Sequence, residues 1–130
     1  MMPAESFLRR TLWAACGFNL GGAAIFAFPE SPLGRLAALP PQAPLVYRAF
    51  VALFVLLFAG AYAWAAMREP LERTLIAFGA IGKTAAFALT VALWLAHAVP
   101  AASVAAVSGD AVFALLFASG LARTAAPRPS

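Results

Sequence analysis

The sequence predicts an all-α integral membrane protein, a bundle of four transmembrane helices in one domain. Three observations predict it. First, 64% of the 130 residues are hydrophobic and only 11% are charged, whereas a soluble domain is about 45–50% apolar and about 25% charged. Second, the apolar residues fall into four long runs. Third, most of the nine basic and five acidic residues sit between or outside those runs. Disorder is excluded, because the chain lacks the polarity that keeps a segment unfolded. One cysteine, Cys16, leaves no internal disulfide and no multi-cysteine metal site.

A helix crosses about 30 Å of hydrocarbon with about 20 apolar residues. Residues 11–28, 45–67, 74–99 and 101–122 meet that length. They are too long, and too little alternating, for barrel strands. The run after Arg9-Arg10 could pass for a signal peptide, but Phe26, Phe28 and Pro29 occupy the place where small residues are needed. A first transmembrane helix is the better reading. Between the first two spans lie Pro29, Pro32, Pro40, Pro41 and Pro44. Each removes a backbone donor and clashes with the preceding turn, so neither helix continues through 29–44. Within that loop, Ser31-Pro32 reads as an N-cap and first helical position, and Leu33, Leu36 and Leu39 follow at helical spacing. A short interfacial helix is expected there. The charged run Arg68-Glu69-Pro70-Leu71-Glu72-Arg73 makes the second break, and Pro100 makes the third, a tight antiparallel hairpin.

Basic residues set orientation. Arg9, Arg10, Arg68, Arg73, Arg123 and Arg128 fall on one side of a four-span chain, and Arg35 and Arg48 on the other. Both termini are therefore expected in the cytoplasm, in a single topology. The net charge of +4 reports this flanking arginine and contact with anionic lipid, not nucleic acid.

Lys83 is the basic residue left inside a span. It lies ten residues in from Arg73, roughly 15 Å deep. An ammonium there costs at least about 2.5 kcal/mol on insertion scales, so it turns inward and finds a partner. Asp110, the acidic residue inside a span, lies thirteen residues in from Arg123, roughly 20 Å deep. A lysine side chain bridges that difference between neighbouring antiparallel helices. A Lys83–Asp110 pair is expected, with Arg48 as the competing partner for Asp110. Gly79, Thr90, Trp94 and His97 fall near Lys83 around the helix and complete a polar stripe. Two readings of the pair stay open: a device that fixes helix register, or a ligand, ion or proton site. A second version has Ser108-Gly109-Asp110 unwound, with Asp110 capping a shortened fourth helix.

Other residues carry less. Residues 77–84, Ala-Phe-Gly-Ala-Ile-Gly-Lys-Thr, satisfy the loose P-loop pattern. That motif needs free backbone amides after a strand, and this stretch lies in an apolar span whose amides pair within the helix. No nucleotide is expected. His97 reads as an interfacial group, and one histidine with this acid distribution supports no metal site. No cofactor is expected. Asn19 reads as an interhelical hydrogen-bond donor, and Gly17 with Gly21 as a close-approach pair. Glu69 and Glu72 read as solvated loop charges. Trp13, Tyr47, Tyr62, Trp64 and Trp94 read as rings near span ends or on span faces, as at a membrane interface.

Tyr47-Arg48 opens a span that runs to Gly60-Ala61-Tyr62, and Arg68-Glu69-Pro70 follows as a charged turn. Gly79-Ala80-Ile81-Gly82-Lys83 lies in the third span, and Gly109-Asp110-Ala111-Val112-Phe113-Ala114-Leu115-Leu116-Phe117 in the fourth. This pattern resembles small bacterial four-helix membrane proteins of the DoxX-like type, over spans two to four. The resemblance implies an accessory role in a membrane system, singles out Arg48, Lys83 and Asp110, and transfers no catalytic residue. The expected setting is the bacterial inner membrane, with loop 29–44 periplasmic. The expected function is an accessory, assembly or ligand-binding subunit, in contact with lipids and with a second copy or a larger membrane protein. The alternative is a small transporter or proton-coupled channel using Lys83 and Asp110. An enzyme acting on a lipid or quinone through His97 or Lys83 is the weakest reading, since no nucleophile–base pair accompanies them.

Overall fold

The computed structural model describes residues 2–125 and is all-helical over them. Five helices follow in order: α1 (Pro3–Ala27), α2 (Pro32–Ala37), α3 (Leu45–Met67), α4 (Arg73–Leu95) and α5 (Ala101–Ala125). Helices α3, α4 and α5 are long and apolar enough to cross a membrane. Helix α1 is as long as α5 but carries Arg9, Arg10 and Asn19.

The helix ends have local causes. Helix α1 starts two turns before its apolar run, because Pro3 suits the first helical turn and Glu5 meets the positive end of the helix dipole. Helix α2 starts at Pro32, and the Ser31 hydroxyl accepts from the Gly34 amide at 3.1 Å. Helix α4 stops at Leu95 rather than running to 99. His97 adopts a left-handed backbone (φ 59°), its amide donates to the Trp94 carbonyl and the Ala98 amide donates to the Leu93 carbonyl. These two bonds form the Schellman closure that satisfies the last carbonyls of a helix. Helix α5 is unbroken through Ser108, Gly109 and Asp110, so Asp110 caps nothing and the shortened fourth helix is not formed.

Helix α1 packs along α3, and α4 packs along α5 as a hairpin; the pairs meet through α1–α5 and α3–α4. The core of Leu8, Leu12, Ala15, Tyr62, Ala65, Ala66, Ile76 and Phe117 gathers towards the end that holds the charged break at 68–73. Gly120 admits Leu8 there, since a Cβ on it would overlap the leucine side chain. Arginines close that end. Arg9 donates to the Ala66 carbonyl at 2.6 Å, and Arg73 to the Leu121 carbonyl at 3.0 Å and to the Thr124 hydroxyl. Both cations meet the negative ends of helix dipoles. Glu69 faces Arg9 at 3.8 Å and Glu72 faces Arg68 at 3.6 Å.

At the opposite end α2 lies on α5, with the Ser103 hydroxyl donating to the Ala37 carbonyl at 3.0 Å. Glycine at position 34 is required for this fold-back, because a Cβ would come within 2.5 Å of the Pro29 carbonyl oxygen. The outer faces of the long helices are apolar, with Phe50, Phe54, Leu57, Phe78, Ile81, Leu89, Val112 and Leu115 all exposed. This is the reverse of a soluble domain, and hydrocarbon is the solvent that suits it.

Candidate functional site: a caged lysine

Each long helix contributes to one cluster inside the bundle. On α4, Gly79 and Lys83 are one turn apart and share a face. The bare Gly79 backbone admits the ring of Tyr62 from α3, since a Cβ would lie 2.7 Å from Tyr62 Cε1. On α5, Asp110 and Phe113 are three residues apart and also share a face, and Gly109 leaves room for the Phe18 ring of α1. Next to Phe18 on α1 stands Asn19.

Lys83 is 4% exposed. Its Nζ donates to Asp110 Oδ1 at 2.6 Å and to Asn19 Oδ1 at 2.9 Å. Three ring centroids surround the same nitrogen: Phe18 at 5.0 Å, Tyr62 at 5.3 Å and Phe113 at 5.4 Å. Asn19 Nδ2 in turn donates to the Val55 carbonyl of α3 at 3.3 Å. The ammonium therefore exchanges water for one carboxylate, one amide oxygen and three π faces. A buried pair gains most when its remaining protons are satisfied in this way, and each cation–π contact adds about 0.5–2 kcal/mol. Asp110 is less enclosed, at 17% side-chain exposure, and its second oxygen accepts no hydrogen bond among the described residues.

Among the sequence candidates, the structure brings together Lys83, Asp110 and Asn19, and leaves the others apart. The Thr90 hydroxyl bonds back to the Ala86 carbonyl at 2.9 Å, so its polarity is spent within α4. His97 is exposed and serves the helix end. Arg48 does not reach Asp110; its Nε is buried without a hydrogen-bond partner at the far end of α3. Tyr62 corrects an expectation. It is 2% exposed and packs in the core, not at an interface, because Gly79 makes space for it.

The three rings of the cage were missed as site residues. Two had a signal in the sequence, with Phe18 next to Asn19 and Phe113 one turn from Asp110. Chemically, the cluster fixes one cation against one anion. Among the described residues no group of three or more His, Cys, Asp or Glu could hold a metal. Two open pockets lie around Arg48, and Lys83 lines neither. No family model matches the chain, and no match emerges among curated proteins or solved structures.

Proposed function

We propose that this chain is a four-span protein of the bacterial inner membrane. In this reading α1 joins the three more apolar helices as a span, both termini are cytoplasmic, and loop 29–44 is periplasmic. Its role is that of a non-catalytic accessory or assembly subunit, in line with the DoxX-like resemblance, packing against lipids and against a second copy or a larger membrane protein. One observation carries this reading: the Lys83 ammonium of α4 is engaged by internal groups from the other three long helices, so the cluster serves the bundle and not a passing solute. The apolar outer faces supply the docking surface.

The test is purification in mild detergent after in-membrane crosslinking, for wild type and for an outer-face variant such as Leu115→Arg. A stable partner or dimer is expected with wild type and lost with the variant. Recovery of a lone monomer throughout would refute the accessory role.

A second reading, a proton-coupled channel or small transporter, is favoured by the partly exposed side chain of Asp110, whose second oxygen accepts no hydrogen bond among the described residues. It predicts flux in proteoliposomes that disappears in Lys83→Met and Asp110→Asn. If both variants fold and move the same solutes as wild type, that reading fails.

A further inference from the structure

Arg48 stands in the first turn of α3, at the end of the bundle away from Arg9 and Arg73. Its Nε is buried with no hydrogen-bond partner, and no carboxylate pairs with it among the described residues. Glu30, on the rim nearby, is exposed and takes no part in an ion pair among the described residues. A charged N–H group stripped of water and left without an acceptor is unfavourable by itself. An anionic oxygen would relieve it, and the planar guanidinium fork suits phosphate.

Two cavities meet at this side chain, sharing Arg48 and Pro29. One, of about 160 Å³, is walled by Phe26, Leu39 and Val51. The other, of about 610 Å³, is more polar and includes Glu30 and Ser31. The site therefore has an apolar pocket beside a wider, open one with Glu30 and Ser31 at its edge, and one cation unpaired among the described residues where they meet, which is the outline of an amphiphile. We propose that Arg48 clamps the headgroup of a bound anionic phospholipid. The phosphate accepts from the guanidinium in the wider cavity, and the start of an acyl chain rests in the apolar one. A free phosphate would have no use for the apolar chamber. The proposal rests on the membrane reading, in which the first turn of α3 lies at the level of the headgroups.

Native mass spectrometry of the full chain in mild detergent, titrated with phosphatidylglycerol, tests it. Wild type is expected to retain one lipid, and Arg48→Gln to bind it about tenfold more weakly, the worth of one charge-assisted hydrogen bond. Arg48→Lys should fall between them, and Arg35→Gln, at the same end, should match wild type. Val51→Trp, which fills the apolar chamber and leaves Arg48 intact, should also lose the lipid. Equal retention by wild type and Arg48→Gln overturns the proposal, as does equal loss in Arg35→Gln. Displacement of the lipid by millimolar inorganic phosphate would reassign the site to a free anion. The membrane reading is judged separately, by whether the chain stays with membranes after an alkaline carbonate wash.

Discussion

Lys83 is held by more groups than an ion pair requires, and its energetics follow from that. Removing one member of a buried pair leaves the other charge without compensation, at a typical cost of about 3–5 kcal/mol, whereas replacing both by apolar residues is often neutral. Lys83→Met alone should therefore lower stability by about 3–5 kcal/mol, while Lys83→Met with Asp110→Leu should recover most of the loss. Unfolding in mixed micelles measures both. Additive losses in the double variant would show that the two side chains act independently. Gly79 gives a second prediction at this scale. Gly79→Ala sets a methyl group against the Tyr62 ring, so a loss of about 1–3 kcal/mol from overpacking is expected in the same assay. The pair itself was legible, because depth along two antiparallel helices is simple counting. The role of Asn19 as an acceptor and the three rings were not. They arrive from other helices, and linear spacing does not say which faces meet.

The helix ends show local chemistry at work on the elements. Ser31 and Pro32 announce the start of α2 in the sequence, and both act as their types dictate. The end of α4 was misplaced by four residues because the apolar run continues past it to Val99. The chain turns at His97, where a left-handed backbone costs a residue with a Cβ about 1–2 kcal/mol. His97→Gly relieves that strain but adds about 0.5–1 kcal/mol of unfolded-chain entropy. A small net gain, roughly 0.5 kcal/mol, is expected in thermal unfolding. His97→Val should instead destabilise, since a branched Cβ tolerates this conformation worst. If His97→Val unfolds like wild type, the turn is not what ends α4. A histidine gives little warning of such a position; glycine or asparagine would have flagged it.

Across the whole molecule, charge is sorted by place. Arg9 and Arg73 bond the C-terminal carbonyls of α3 and α5, and Arg68 and Arg123 lie over Trp64 and Phe7 at the same end. Arg35 and Arg48 stand at the other. A four-span chain with this arrangement predicts opposite labelling from the two sides of a membrane. In a Cys16→Ala background, Arg123→Cys should react with an impermeant thiol reagent only from the cytoplasmic side and Arg35→Cys only from the outer side. Labelling of both from one side would discard the topology.

The sequence by itself determined the helical class, the approximate spans and the burial of two opposite charges. These depend on hydropathy, proline and depth, which are properties of residues in chain order. Only the tertiary structure decided that Lys83 lies within a cage of rings, that Tyr62 is core and that Arg48 faces two pockets with no ion-pair partner among the described residues. Those outcomes depend on how the helices rotate about their axes, and in apolar helices that rotation is set by where Gly79, Gly109 and Gly120 let a neighbour approach.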